Sequence, residues 1–93
     1  MSTTTSSILG EVFDERARQE AKWGEQNHGP TVYLAILAEE FGEVAKEVVE
    51  WQATKTDQDE MMRLVQARME LVQTAAVAVA MIECIDRLGW IIR

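Results

Sequence analysis

The stretch LAILAEEFGEVAKEVVEW, residues 34 to 51, constrains the fold of this chain more than any other. Leu34, Leu37, Phe41, Val44, Val48 and Trp51 recur at intervals of three and four, the period of a helix buried along one face and incompatible with the two-residue alternation of a strand. The same stretch carries Glu39, Glu40, Glu43, Glu47 and Glu50, with only Lys46 to answer them. Any fold that buries this helix must also find a place for its carboxylates.

The rest of the chain follows the same period. Ile8, Leu9, Val12, Phe13 and Ala17 predict a first helix over about Ser7 to Trp23, and WGEQNHGP breaks it with turn residues and a proline suited to the next helix's first turn. The second helix is expected over Thr31 to Ala53, its core face being the Leu34 to Trp51 stripe. TKTDQD forms a loop from which Asp57, with Glu60 three residues on, starts a third helix that runs to about Leu88 and stops at Gly89. No strand pattern, repeat or linker is present. The expected fold is all-α, with residues 1 to 6 a disordered lead-in and residues 7 to 93 one domain. A long antiparallel hairpin of helices two and three forms its centre.

In the third helix, residues 75 to 82 are apolar all round, which calls for burial on every side, and WIIR adds further apolar area at the C-terminus. A chain of 93 residues has too few helices to supply that cover. Oligomerisation, as a homodimer or homotetramer, is therefore expected to complete a helical bundle.

Composition narrows the partners. Sixteen acidic against nine basic residues give a net charge of −7, which disfavours binding to a phosphate backbone, so nucleic acid is not an expected partner. The longest apolar run, TAAVAVAMI, is too short to span a membrane. A single cysteine, Cys84, forms no internal disulfide and is read as packing; together with a leader that lacks the pattern of a signal peptide, it fits the cytoplasm.

The carboxylates can be placed by counting. Across an antiparallel hairpin, facing residues have numbers of constant sum, and a sum of 113 pairs Glu43 with Glu70, Glu40 with Gln73, Glu47 with Gln66, and Glu50 with Arg63. The spacing places each set on one face of its helix. Arg63 can answer Glu50, whereas Glu40, Glu43 and Glu70 have no such partner. Carboxylates so gathered either titrate high or hold a cation, and oxygen donors alone select a hard ion, Mg²⁺ or in its place Mn²⁺. The plain alternative is a solvated acidic face that keeps the protein soluble. With His28 as the only histidine, a di-iron carboxylate bundle is excluded.

EEFGE (Glu39, Glu40, Glu43) followed on the next helix by ELVQ (Glu70 to Gln73), with RQEAKWGEQNH ahead of both, resembles the MazG-like all-α nucleoside triphosphate pyrophosphohydrolases over residues 8 to 88. The family signature is EExxE followed by ExxD. The resemblance implies Mg²⁺-dependent hydrolysis of a nucleoside triphosphate to monophosphate and pyrophosphate, of housecleaning or phage-related character. It places the metal on Glu40, Glu43, Glu70 and Gln73, with Glu39 or Glu47 orienting or deprotonating the attacking water. Gln73 departs from the family aspartate, which removes one negative charge and predicts weak or substrate-dependent Mg²⁺ binding. A catalytically degenerate relative, serving as a binding or regulatory module, is the competing expectation.

Further substrate contacts are assigned on chemistry. Trp23 can stack on a base and Lys22 can meet a phosphate, or Trp23 packs the turn onto the core while Lys22, Gln26 and His28 remain surface groups. Lys46 and Arg68 share helices with the acids and are phosphate candidates, although Lys46 is equally placed to pair with Glu43 or Glu50.

Overall fold

The computed structural model describes residues 3–89. Three helices occur in the order α1 (Thr5–Trp23), α2 (Pro30–Ala53) and α3 (Asp57–Leu88), with no strand among the described residues. α1 begins two residues earlier than the periodicity predicts. The Thr4 side chain accepts from the Ser7 amide at 3.1 Å and the Ser7 hydroxyl accepts from the Thr4 amide at 3.2 Å, a reciprocal cap that draws Thr5 and Ser6 out of the expected lead-in and into the helix. α1 ends at Gly24, whose φ of 73° suits a residue without a side chain.

Pro30 occupies the first turn of α2, where its missing N–H costs nothing. α3 is capped by Thr56, which accepts from the Asp59 amide at 3.2 Å, so the cap lies one residue before the expected Asp57. Asp57, Asp59 and Glu60 then sit in the first turn, where the helix dipole favours anions. Gly89, in the left-handed conformation, stops the helix at the predicted place.

Both α1 and α2 pack on α3, and they make no close backbone approach to each other. The short 54–56 connection makes α2 and α3 antiparallel neighbours. Glu11 of α1 meets Arg68, and Arg16 meets Glu83, so α1 advances along α3 in the same direction. Small residues allow this close approach: Ala67 and Ala76 of α3 are buried, as is Cys84.

The buried face of α2 differs from the expected stripe. Tyr33 and Val44 are buried and Ile36, Leu37, Glu40, Glu47 and Trp51 are half-buried, while Leu34 and Phe41 remain more than 60% exposed and Val48 is also open. The helix is apolar over a wide arc, and α3 alone covers only part of it. The covered part includes Glu40 and Glu47, so these carboxylates lie within the α2–α3 packing face and part of the apolar stripe is left outside.

The segment 75–82, expected to be enclosed on every side, is covered only in part within one chain: Ala76 is fully buried, residues 75 and 77–81 are half-buried, and Ile82 is exposed. The tail residues 90–93, also read as apolar interface, lie outside the described residues. Among the described residues, no helix is long and apolar enough to cross a membrane.

Candidate functional site

Two grooves of opposite character flank α3. On the α1 side, Glu11, Glu15 and Glu83 are answered by arginines. Arg68 donates two hydrogen bonds of 2.7 Å to the Glu11 carboxylate, and Arg16 meets Glu83 at 2.7 Å. The hydrogen bonds from Arg68 hold the Glu11 carboxyl below its ordinary pKa.

The α2–α3 groove behaves otherwise. Arg63 pairs with Glu50, as the hairpin count predicts, and with Glu47 at 3.4 Å, at the end near the connecting loop. Further along, Glu40, Glu43 and Glu70 have no ion pair among the described residues. Partial burial raises the pKa of Glu40, and the charges of Glu70, Glu39, Glu43 and Glu15 raise it further. Glu70 is raised by partial burial and then by Glu43 and Glu47. The two helices thus bring the predicted acids within electrostatic reach of one another. As placed, however, no three His, Cys, Asp or Glu side chains among the described residues stand close enough to hold a metal ion.

Glu40 also faces a second feature, a cleft of about 560 Å³ in the gap between α1 and α2, floored by α3. Gln73 lies with Glu40 in its wall, as the count pairs them, and so do Lys22 and Trp23. The Lys22 ammonium stands 4.8 Å from the centre of the Trp23 ring, and Trp23 is about half exposed, so it does not pack the turn onto the core.

The cleft has a polarity that helix geometry sets. Along α2 its lining runs Tyr33, Ile36, Glu40, and along α3 it runs Ala80, Val77, Gln73. Seven helical residues at 1.5 Å rise separate Tyr33 from Glu40, about 10 Å. One end is therefore apolar and aromatic, the other acidic.

α1 contributes groups that the sequence reading left unassigned. Glu15, Arg18 and Gln19 line the cleft beside Lys22; Arg18 holds Glu15 at 2.8 Å, and Gln19 reaches the Gln73 backbone carbonyl at 3.4 Å. Their spacing of three and four with Lys22 marks one polar face of α1, a signal present in the sequence. Glu39 and Glu43 are exposed beside Glu40 and outside the cleft lining. Lys46 is exposed and lines neither this cleft nor a shallower groove beside Glu11, which Arg68 borders with its guanidinium committed to that carboxylate.

Comparison with protein families, with curated proteins and with solved structures found no match to this chain.

Proposed function

We propose that the chain is a Mg²⁺-dependent nucleoside triphosphate pyrophosphohydrolase of the MazG-like kind, acting as a homodimer or homotetramer in the cytoplasm. The observation that carries this reading is the double position of Glu40, which belongs both to the unpaired acids of the α2–α3 groove and to the wall of the cleft holding Lys22 and Trp23.

The donor set suits a hard cation in its chemistry: oxygen only and without arginine. Glu40, Glu43 and Glu70 would hold it, with Gln73 offering a neutral oxygen at the fourth position. Like charges keep their side chains apart until something neutralises them, which accords with carboxylates that are near but not convergent. Bound there, Mg²⁺ supplies neutralisation of the phosphate oxygens and of the charge that develops on them.

The chain's own residues do the rest. Lys22 meets the phosphates, and Trp23 lies against the base. Glu39, exposed beside Glu40, takes the proton of the water that attacks the α-phosphorus; Glu47, the other candidate, is held by Arg63. Pyrophosphate leaves and the monophosphate remains.

The oligomer rests on surface. A compact monomer of 10.5 kDa exposes about 5,400 Å² and has a radius of gyration near 12 Å, against 6749 Å² and 15.5 Å for this chain. The excess of about 1,300 Å² exceeds the roughly 800 Å² per partner of a standard interface. Leu34, Phe41 and Val48, spaced by seven on α2, are the apolar row a second copy would cover.

A degenerate binding or regulatory module is the second reading, and the neutral Gln73 is what favours it. Pyrophosphate release from a panel of ordinary, deoxy and modified nucleoside triphosphates with Mg²⁺ or Mn²⁺ tests the enzyme. Turnover that Glu43→Gln abolishes supports it. Absence of turnover throughout, with activity created by Gln73→Asp, would establish the degenerate form.

A further inference from the structure

The turn between α1 and α2 is fastened from two helices at one residue. Arg87 Nη2 donates to the Gln26 carbonyl oxygen at 3.2 Å and to Asn27 Oδ1 at 2.8 Å, and its Nε donates to the same Oδ1 at 3.1 Å. From α2, the Tyr33 hydroxyl donates to the Gln26 carbonyl at 2.9 Å. Cys84, fully buried, lies beneath the turn with Sγ 3.6 Å from the His28 carbonyl oxygen. Such cross-bonding fixes the backbone of a segment that carries no regular structure of its own.

Gln26 is half-buried and lines the cleft at its apolar end, with Tyr33, Ile36, Val77 and Ala80. Its backbone carbonyl accepts two hydrogen bonds, yet its side-chain amide has no hydrogen-bond partner among the described residues. A primary amide presents a donor and an acceptor side by side, the arrangement that matches a base edge. It sits at the Tyr33 end of the cleft, and Tyr33 and Glu40 are about 10 Å apart along α2, a separation like that of a nucleotide's base from its phosphates.

We propose that Gln26 is the base-specificity residue of the cleft and that Arg87 is its positioning residue. The ligand class is a nucleobase that lodges among Trp23, Ile36, Val77 and Ala80 and offers its hydrogen-bonding edge to the Gln26 amide. Arg87 acts through the turn and touches no ligand. This rests on the nucleotide reading above, but it can fail separately.

The test measures binding of the four nucleoside 5′-monophosphates by calorimetry, beside pyrophosphate release from the matching triphosphates, for wild type, Gln26→Ala and Gln26→Glu. A carboxylate only accepts, and guanine presents two adjacent donors, so Gln26→Glu shifts the affinity ratio toward guanine by about tenfold or more. Gln26→Ala narrows the differences among the four bases. Arg87→Ala weakens the preferred base about tenfold, seen in KM with kcat retained, and Arg87→Lys restores part of it; equal losses in KM and kcat with a lowered melting temperature would reduce Arg87 to a structural role and overturn its assignment. Base ratios unchanged in both Gln26 variants overturn the proposal, even if pyrophosphate is released. Base-selective binding altered by Gln26→Glu, with no pyrophosphate release by any variant, sustains the proposal and overturns the hydrolase reading. No binding of any nucleotide overturns both.

Discussion

The two grooves beside α3 are built from the same acidic residue type and treat it in opposite ways. On the α1 side Glu11 and Glu83 each meet an arginine at 2.7 Å. On the α2 side Glu40, Glu43 and Glu70 lie within electrostatic reach of one another, and partial burial with neighbouring carboxylates raises Glu40 and Glu70 from the ordinary glutamate value. Arg63 shows that the α2 side is not closed to arginine; it answers Glu47 and Glu50 a turn or two away. Carboxylates needed only for pairing would resemble the first groove. The second leaves acids without arginine partners, raised first by partial burial and then by one another's charge, and it does so beside a cleft.

That contrast can be broken in order of effect. Glu43→Gln should lower pyrophosphate release by about 100-fold or more, the scale set by losing one charge-stabilising group from an active site, whereas Glu11→Gln should leave it near wild type. Equal losses in both would remove the distinction. Next, Gln73→Asp should tighten Mg²⁺ about tenfold, or ~1.4 kcal/mol, because site charge tunes affinity for hard cations; calorimetry reads this directly. Tight binding of two ions by the unaltered chain without nucleotide would contradict the weak site predicted here.

The pH dependence of stability separates the grooves by sign. A carboxyl whose pKa is raised on folding binds its proton more tightly in the folded chain, so its contribution is greatest below the ordinary value of 4.5 and is lost as pH rises through the raised pKa. Glu40→Gln should therefore raise the metal-free melting temperature at pH 7, by about 2–4 °C once solvent screening is allowed for, and the gain should vanish near pH 4. Glu11 has a lowered pKa and acts in reverse: its contribution is present above 4.5 and is lost as pH falls through the lowered value. Being an exposed pair, Arg68→Ala should produce the smallest change of the set in thermal melts at pH 7.

Much of this was legible in the sequence. Helical period and turn residues located all three helices to within two residues, and a sum of 113 placed Glu50 by Arg63 and Glu40 and Gln73 in one wall. The face of α2 that packs on α3 was not legible, because a helix with a wide apolar arc does not declare which part its own chain covers. Leu34 and Phe41 read as core for that reason and are exposed. Glu15, Arg18 and Gln19 went unassigned because no count relates α1 to α2 when the two helices meet only through α3. Gln26 looked like an ordinary turn residue; only the bonds from Tyr33 and Arg87 distinguish it.

The central claim, that the unpaired acids of the α2–α3 groove hold a divalent cation, is tested most directly by thermal melting at pH 7 against MgCl₂, with NaCl of equal ionic strength as control. The assay carries a non-hydrolysable nucleoside triphosphate throughout. Wild type should gain melting temperature with Mg²⁺ beyond the NaCl control, and Glu43→Gln should not. An equal gain in both proteins, or a gain that NaCl reproduces, would show a screened acidic surface and contradict the account.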